Sequence, residues 1–406
     1  MLNGFGPVLS YIEKAWQNNL TPAYGKPSGN MRNLIMRFGR VGLPNAISAP
    51  NDAYFAGTQF YWDSYFTILG LVDSNRAQNG KDMVDNLCFL FTKFGLIPAR
   101  NSWTSLGRSQ PPFLTQMAFE IYDHKGADEA WMDKVMDLAK QEYDYVWMNH
   151  PRLDSRTGLN QYHPKYFSKF LTVFESGWDM SSRFKKQANN IIPIDLNCLL
   201  YQYESDFLKW AKHKKDSRSQ QEWQQALEKR ERLINTYCWH KDFYYDYNLA
   251  NDQYNPLETL AGFYPLWCGV AGRKQAAECV AKLHQFEHAG GLASTTKLLP
   301  YSNQWDYPNG WAPLQYIVIS GLRRYGYTTD ADRIAKKWLD CNNKVFASTG
   351  KLWEKYDVVR CDVGLPGRYP TQSGFGWTNG VYVRLTEKPE TSDSQSESAR
   401  AKTVIS

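Results

Sequence analysis

Two acidic residues, Asp179 and Glu354, lie in surroundings that suit acid–base chemistry. Asp179 is part of Glu175-Ser-Gly-Trp-Asp-Met-Ser-Ser-Arg183, and Glu354 is part of Trp353-Glu-Lys-Tyr-Asp-Val358. Both acids have aromatic neighbours, although they are far apart along the chain. Cleavage of a glycosidic bond needs such a pair, because one carboxyl protonates the departing oxygen and the other activates a water or attacks the sugar. A single acid elsewhere is usually a solvated surface charge, so the aromatic surroundings distinguish these two.

The composition is rich in aromatic residues, which make up 15% of the chain and include 15 Trp and 26 Tyr. An aromatic core explains this share about as well as a sugar cleft, in which flat rings cover the apolar faces of pyranose units. The net charge of +6 is mild for 406 residues, and basic runs such as Lys212-His-Lys-Lys215 are short. Solvated loops explain such runs better than nucleic-acid binding does. No apolar stretch approaches membrane-spanning length, so we predict neither a nucleic-acid nor a membrane partner.

The seven cysteines do not form a disulfide pattern. Their number is odd, no pair has Cys-x-x-Cys spacing, and several lie in apolar runs. We predict buried free thiols in a reducing compartment. The first residues lack the basic and apolar regions of a signal peptide, so we expect a cytoplasmic protein.

Helical periodicity dominates wherever a period can be recognised. It predicts helices around residues 62–72, over 309–325 with Gly326 as the C-terminal stop, and over 330–346, and another after Asp128 as a possible N-cap. Residues 191–200 are apolar over most of the circumference, which is typical of a helix packed on two sides. About a dozen such segments between residues 5 and 386 indicate an inner ring of helices wrapped by an outer ring. We predict one domain, residues 1–385, and a disordered tail, residues 386–406, which has almost nothing to bury.

Two other patterns are more simply explained by polar helix faces. His284-Gln-Phe-Glu-His288 fits a zinc-protease pattern with two histidines one helical turn apart. Such short matches are frequent by chance and no further acidic ligand stands out, so two surface histidines on a helix are favoured. Tyr201-Gln-Tyr-Glu204 is likewise interpreted as an ordinary polar face. We therefore predict no metal site and no organic cofactor.

Five passages combine aromatics, carboxylates or carboxamides, and glycines in varying proportions, and two of them also carry an arginine. Glycine permits close backbone approach to a ligand, tryptophan and tyrosine supply stacking faces, and the polar side chains can hold hydroxyls. At helix ends, such passages can converge on one pocket. They are Gln59-Phe-Tyr-Trp-Asp-Ser-Tyr65, Gly107-Arg-Ser-Gln-Pro-Pro112, Glu175 to Arg183, Gln304-Trp-Asp-Tyr-Pro-Asn-Gly-Trp-Ala-Pro313 and Gln372-Ser-Gly-Phe-Gly-Trp-Thr-Asn379.

These passages resemble the trehalase family of glycoside hydrolases, in family order over residues 50–385. The resemblance implies an all-α (α/α)6 toroid and an inverting mechanism. Several matches are long and rich in tryptophan. They are Tyr61-Trp-Asp-Ser-Tyr65, Arg108-Ser-Gln-Pro-Pro112, Ser176-Gly-Trp-Asp179 with Ser181-Ser-Arg183, Ile194-Asp-Leu-Asn197, Gln304-Trp-Asp306 with Gly310-Trp-Ala-Pro313, Glu354-Lys-Tyr-Asp-Val358, and Gly374-Phe-Gly-Trp-Thr-Asn-Gly-Val381.

The resemblance also implies residue roles. Asp179 matches the general acid of the family, and Glu354 matches its general base. The predicted substrate-binding residues are Trp62, Asp63, Asn101, Arg108, Ser109, Gln110, Gly177, Trp178, Gln304, Trp305, Trp311, Arg368 and Trp377.

The chain departs from the family pattern around the leaving-group side. The family's arginine-bearing Pro-Gly-Gly-Arg-Phe stretch is Pro50-Asn-Asp-Ala-Tyr-Phe55 here, Ala99 replaces an asparagine, and Arg368 replaces a glutamate. The resemblance favours cleavage of trehalose into two glucoses. If Arg368 clamps a carboxylate, an acidic glycoside such as glucosylglycerate or mannosylglycerate is the alternative substrate. A sugar-binding protein without turnover is a third hypothesis, which the retained acid pair argues against. The oligomeric state stays open.

Overall fold

The computed structural model describes residues 5–23, 39–51, 53–165, 169–184, 187–296, 303–367 and 369–386. Helices dominate this part of the chain. The apolar spacing around residues 62–72 forms a helix as predicted, and Asp128 caps the next predicted helix by accepting a hydrogen bond from the backbone N–H of Trp131. This cap satisfies one of the free N–H groups of a first helical turn. Both elements therefore follow from local sequence signals.

The described helices alternate between almost wholly buried and amphipathic ones. They are α1 (Gly6–Asn18), α2 (Tyr61–Asp73), α3 (Ala77–Phe94), α4 (Leu114–Asp123), α5 (Glu129–Glu142), α6 (Lys169–Glu175), α7 (Ile194–His213), α8 (Ser217–Tyr237), α9 (Tyr264–Cys268), α10 (Arg273–Ala281), α11 (Ala312–Arg324), α12 (Thr328–Thr349) and α13 (Gly376–Thr386). A π-helical turn, Tyr143–Trp147, continues α5.

The strands are short and antiparallel, and they lie in the loops between helices. They are β1 (Leu20–Thr21), β2 (Ile47–Ser48), β3 (Ile191–Ile192), β4 (Trp239–His240), β5 (Phe243–Tyr244), β6 (Tyr247–Asn248), β7 (Gln253–Tyr254), β8 (Glu287–His288), β9 (Gly291–Leu292), β10 (Asn309–Trp311), β11 (Lys355–Asp357) and β12 (Asp362–Val363). The pairs β1–β2, β4–β5 and β8–β9 stand alone, whereas β3–β6–β7 and β10–β11–β12 form three-stranded sheets.

Six buried helices form a closed inner ring. Contacts run from α2 to α4, α7, α9, α11 and α13, and from α13 back to α2. The amphipathic helices α3, α5, α8 and α12 pack outside this ring. A helix packed on both sides must be apolar all round, which explains why the inner helices lack a polar face. The predicted (α/α)6 toroid is confirmed. The ring uses chain from residue 61 to residue 386. The single domain, residues 1–385, stays a prediction, and residues 387–406 lie outside the described residues.

Two predicted helices begin later than their apolar pattern suggests. Residues 309–311 form β10, which pairs with β11, so the helix predicted over 309–325 starts at Ala312 with Pro313 in its first turn. Ile191 and Ile192 form β3, and α7 starts at Ile194. In both cases the pairing partner is far away in sequence, and short apolar runs do not distinguish strand from helix.

The two patterns assigned to polar helix faces are placed differently by the structure. His284 lies in a short 3-10 turn and His288 in β8, so the helical spacing assumed for the pair is wrong. Glu204 is buried rather than solvated, and its Oε1 accepts hydrogen bonds from Arg230 Nε at 2.7 Å and Tyr143 Oη at 2.6 Å. A polar residue inside a mostly apolar helix was therefore a buried ion-pair partner.

All seven cysteines are free thiols. Six are buried, and Cys361 is half-buried. Burial raises the pKa of Cys88 to about 12, so this thiol stays protonated.

Candidate active site

The N-terminal ends of the inner helices α2, α11 and α13 contribute to one cavity of about 310 Å³. This volume lies at the low end of the roughly 300–1,000 Å³ that is typical of small-molecule sites. Helix N-termini carry partial positive charge, which favours the acidic groups that the cavity contains. The lining residues are Tyr54, Phe55, Phe60, Trp62, Asp63, Ala99, Arg100, Arg108, Gln110, Phe174, Asp179, Trp305, Trp311, Glu354, Tyr369, Phe375 and Trp377.

Glu354 is held on both sides of its carboxylate. Tyr369 Oη donates a hydrogen bond to Oε1 at 2.7 Å, and Lys355 Nζ donates to Oε2 at 3.0 Å. Trp377 Nε1 donates to the backbone carbonyl of Glu354 at 2.9 Å. Both donors orient the carboxylate, and each oxygen keeps a lone pair for a further donor such as water.

Asp179 lies in a loop that a facing loop secures. The backbone carbonyl of Asp179 accepts a hydrogen bond from Gln304 Nε2. Asp306 then accepts from Ser182 Oγ at 2.7 Å, from Ser182 N at 2.9 Å and from Ser181 Oγ at 3.1 Å. Charge-assisted hydrogen bonds of this kind are stronger than neutral ones, so Asp306 fixes the loop directly after the acid.

Arg183 anchors the other end of that loop. It is fully buried and forms two-pronged hydrogen bonds with Asp195 and with Asp246, all at 2.7 Å. Its guanidinium lies 4.8 Å from the ring centroid of Trp178. Removing one partner from such a buried group typically costs about 3–5 kcal/mol, so the loop is rigid.

Asp63 brings a third carboxyl to the cavity. Burial raises its pKa well above the usual range, hydrogen bonding to its own backbone lowers it, and the charges of Glu354 and Asp179 raise it further. Electrostatic coupling to both acids means that the three carboxyls share one site. Because like charges repel at close range, neighbouring carboxyls favour different protonation states. An acid and a base in one site require such a difference.

Tryptophans form the walls of the cavity. Trp305 and Trp311 stack with ring centroids 3.9 Å apart and planes 2° apart. Trp62 lies 5.6 Å from Trp305, and Trp377 meets Trp311 edge-on at 5.6 Å. These four rings come from three separate segments of the chain, because Trp305 and Trp311 belong to the same passage. They supply apolar faces on which sugar rings can stack.

The structure brings nine of the predicted site residues to the cavity surface. They are Trp62, Asp63, Arg108, Gln110, Asp179, Trp305, Trp311, Glu354 and Trp377. Gln304 instead supports the backbone of Asp179, as described above. Arg368 lies outside the described residues.

Four other predicted residues support the cavity from behind. Asn101 is buried, where its Oδ1 accepts from Gln59 N at 2.9 Å. Ser109 Oγ donates to the carbonyl of Ile97 at 2.7 Å. Gly177 has φ +76° and a Cβ there would lie 2.8 Å from Trp62 Cε2, while Trp178 stacks on Trp305 at 5.4 Å. None of the four contributes to the described lining, because the residues next to them in sequence face the cavity instead.

The sequence prediction missed eight lining residues. They are Tyr54, Phe55, Phe60, Ala99, Arg100, Phe174, Tyr369 and Phe375. Most follow or precede a recognised motif by one or two positions, as Arg100 does beside Asn101. The departure at residues 50–55 was a signal for Tyr54 and Phe55, although a departure from a pattern does not say which side chain faces inward.

Neither of two other site types is present in the described part of the chain. No group of three or more His, Cys, Asp or Glu side chains there is arranged to hold a metal ion. Within the same residues, no helix is long and apolar enough to cross a membrane.

The closed helical ring, with acids and tryptophans gathered at one end, places this chain among the (α/α)6 toroids. The chain belongs to the trehalase family, whose model matches residues 57–170 and 165–389. It is 34% identical to the periplasmic trehalase of Pseudomonas aeruginosa, over 80% of this chain and 68% of that protein. It is 32% identical to the cytosolic neutral trehalase of Kluyveromyces lactis, over 84% of this chain and 56% of the relative.

Solved structures agree with this assignment. The neutral trehalase Nth1 of Saccharomyces cerevisiae superposes with a TM-score of 0.75 at 30% identity, covering 84% of this chain and 73% of that one. A mannosylglycerate hydrolase of Thermus thermophilus superposes with a TM-score of 0.66 at 18% identity, covering 93% of this chain and 99% of that one. The second match shows the shared fold alone. The chain spans only a little over half the length of several of its curated relatives, 56% in the case of the Kluyveromyces lactis protein.

Proposed function

We propose that this protein is an inverting glycoside hydrolase that cleaves α,α-trehalose into two glucoses. One observation carries the proposal: Asp179 and Glu354, 175 positions apart in sequence, line the same tryptophan-walled cavity. The names of the relatives at 32–34% identity support trehalose as the substrate. A sugar-binding role without turnover leaves unexplained why Glu354 is held by two hydrogen-bond donors.

In the proposed mechanism, Asp179 is the general acid and Glu354 the general base. Asp179 donates a proton to the glycosidic oxygen as the bond to the anomeric carbon breaks. Glu354 takes a proton from a water that attacks the same carbon from the opposite face. Inversion requires a gap of roughly 6.5–9.5 Å between the two carboxyls to admit that water. Lys355 and Tyr369 hold the carboxylate of the base in place for this step.

The remaining polar groups of the cavity hold the sugar in place. Gln110 and Arg108 can bind hydroxyl groups, and the protonated form of Asp63, which burial favours, can both donate to and accept from a hydroxyl. Trp305 and Trp311 present stacked rings to the apolar face of a pyranose. Such fixed positioning converts binding energy into correct alignment for the reaction.

The names of the relatives point to different compartments. One relative is named cytosolic and another periplasmic. A cytoplasmic location is our proposal, supported by seven free thiols.

Substitution of the two acids tests the proposed roles. Asp179→Asn and Glu354→Gln should each fold normally, bind trehalose, and lose at least about 1,000-fold in kcat, because each removes a proton-transfer group that works only in the transition state. The exposed acids Asp340 and Glu228 provide matched controls, since Asp340→Asn and Glu228→Gln make the same chemical changes on outer helices. A variant of either cavity acid that keeps more than about a tenth of the wild-type rate removes that residue from its role.

Stereochemistry tests the mechanism independently. Proton NMR during the first turnovers should show one β-glucose and one α-glucose released per trehalose, because only the attacked carbon inverts. Release of two α-glucoses would mean retention, and Glu354 would then have to be reassigned.

A further inference from the structure

A second cavity adjoins the active-site cavity at its rim. It has a volume of about 230 Å³ and is lined by Arg40, Tyr54, Phe55, Thr58, Arg100 and Ser102. Three of these residues, Tyr54, Phe55 and Arg100, also line the catalytic cavity. The two spaces therefore share a wall, and a substituent on a substrate in the first can reach the second.

Two arginines, Arg40 and Arg100, line the second cavity. Neither Arg40 nor Arg100 forms an ion pair with any carboxylate in the described part of the chain, and the described hydrogen bond of the Arg100 side chain, to Thr104 Oγ1, is long at 3.4 Å. The Nε of Arg100 is buried and has no partner among the described residues. By contrast, the buried arginines Arg183 and Arg230 are each paired with acids at 2.7 Å.

The electrostatics of Arg100 agree with this geometry. Burial lowers its pKa, and the positive charge of Arg40 lowers it as well, whereas Tyr54 and Asp179 raise it. A partly buried guanidinium near a second positive charge is costly unless an anion lies beside them. The hydroxyl-bearing residues Thr58 and Ser102 lie in the same wall and add further polar groups.

The shared wall is continuous with the catalytic base. Tyr54 stacks on Tyr369 with ring centroids 5.7 Å apart and planes 17° apart, and Tyr369 in turn donates to Glu354. Arg100 lies over the ring of Phe60 at 5.9 Å, which orients its planar guanidinium. An anion in the second cavity is therefore linked to Glu354 through Tyr54 and Tyr369.

We propose that Arg40 and Arg100 form a subsite for an oxyanion carried by the substrate, so that the enzyme prefers a glycoside bearing a phosphate or a carboxylate over a neutral disaccharide. The guanidinium fork matches both groups, because each presents two or more oxygens in a plane. This inference rests on the proposed hydrolysis and names the class of substrate for the same site. It is separate from any contact that Arg368 makes.

A comparison of three substrates tests the subsite. The kcat/KM is measured for trehalose, trehalose 6-phosphate and glucosylglycerate with wild type, Arg40→Ala, Arg100→Ala and the control Arg218→Ala, an exposed arginine at the start of α8 that lines neither cavity. Wild type should cleave at least one acidic substrate at least tenfold more efficiently than trehalose. The ratio of acidic to neutral kcat/KM should fall at least tenfold in Arg40→Ala and Arg100→Ala, and should not change in Arg218→Ala.

The outcomes identify the anion and can overturn the proposal. Preference for the phosphorylated sugar assigns a phosphate subsite, and preference for the glycerate assigns a carboxylate subsite. Trehalose cleavage with no preference for either acidic substrate, or equal loss on all three in the variants, rejects the subsite while leaving the proposed hydrolysis intact.

Binding separates failure of the subsite from failure of the proposed function. If no glycoside is cleaved, calorimetry with Asp179→Asn still measures the affinities for trehalose 6-phosphate, glucosylglycerate and trehalose. Tighter binding of an acidic sugar that is lost when Arg40→Ala is added supports the subsite alone. Equal affinities for all three reject it.

Discussion

At the residue scale, the main partner of the candidate base Glu354 is Lys355, the next residue in sequence. Lys355 is fully buried, with its Nζ 3.0 Å from the carboxylate and 4.9 Å from the ring centroid of Trp311. A buried ammonium is costly without an acid, and a buried carboxylate is costly without a cation, so each residue requires the other. Tyr369 adds a neutral donor on the other oxygen. Burial raises the pKa of the Tyr369 hydroxyl, and the charge of Glu354 raises it further.

Removal of either donor should lower kcat. Both donors hold the Glu354 carboxylate in place, so without them the carboxylate is less well aligned with the attacking water. We expect a larger loss in Lys355→Met than in Tyr369→Phe, because the first variant also leaves a buried carboxylate without its cation. Initial rates on trehalose at saturating substrate measure kcat.

A control variant separates this effect from a general disturbance. Lys344 is an exposed-face lysine on α12, and Lys344→Met makes the same chemical change away from the cavity. It should keep the wild-type kcat. If Lys355→Met and Tyr369→Phe also keep the wild-type kcat, Lys355 and Tyr369 do not position the base.

At the element scale, one buried carboxyl joins two inner helices to an outer one. Glu142, at the end of α5, accepts hydrogen bonds at its Oε2 from Tyr61 of α2 at 2.8 Å and Tyr203 of α7 at 2.9 Å. Burial raises the pKa of Glu142 to about 7, while hydrogen bonds from Tyr61, Tyr203 and Trp147 and the charge of Arg152 lower it. The group is therefore protonated in the folded protein over a pH range in which it is ionised in the unfolded chain.

This difference predicts how Glu142 affects stability. Between pH 4.5 and 7 the unfolded chain loses the proton and the folded protein keeps it, so this group makes wild type less stable as pH rises. Glu142→Gln cannot ionise. Its free energy of unfolding should therefore rise relative to that of wild type by roughly 3 kcal/mol from pH 4.5 to pH 8, at about 1.4 kcal/mol per pH unit. Urea unfolding at the two pH values measures the change.

The comparison needs an acid that folding leaves exposed. Glu228→Gln on the surface of α8 makes the same substitution in solvent, and its stability difference from wild type should not vary with pH in this way. If Glu142→Gln and Glu228→Gln behave alike, Glu142 is ionised in the folded protein throughout the range.

At the scale of the whole molecule, the ring closes where α2 meets α13. Gly70 and Gly380 face each other at this crossing: a Cβ on Gly70 would lie 2.4 Å from the Cα of Gly380, and a Cβ on Gly380 would lie 2.0 Å from the carbonyl oxygen of Phe66. Only glycine allows the two backbones to approach this closely. Both helices carry cavity residues in their first turns, Trp62 and Trp377, so the same contact fixes the distance between those rings.

Gly380→Ala should therefore reduce both stability and activity. The added methyl group must push the helices apart, because the atoms that it meets are backbone and cannot rotate away. We expect a loss of about 3 kcal/mol or more in the free energy of unfolding, and a lower kcat from the displaced Trp377. Urea unfolding and trehalose turnover measure the two effects.

Gly6→Ala is the matched control at the start of α1, where nothing lies within 4 Å of the added Cβ. It should stay within about 0.5 kcal/mol of wild type. A Gly380→Ala variant as stable as Gly6→Ala would show that the α2–α13 contact adjusts freely.

The sequence by itself determined the helical class, and it predicted the two acids and all four tryptophans that line the cavity. The helical spacing of apolar residues predicted α2 and α12, because side chains three and four positions apart share a helix face whatever surrounds them. The motif around Asp179 was recognisable through its resemblance to the trehalase family, although Ser182 binds Asp306, which is 124 positions away. The apolar spacing, by contrast, does not depend on where the rest of the chain lies.

Tertiary structure alone decided which neighbours of each motif face the cavity. Asn101 was predicted to bind substrate, yet it holds the backbone, while Arg100 beside it lines the site. Glu204 was interpreted from the sequence as a surface acid, but in the fold it is buried and paired with Arg230. Residues 309–311 became a strand because β11 lay opposite. In each case the deciding partner is distant in sequence, and the energy of burial, pairing or strand formation depends on that partner and not on the local pattern.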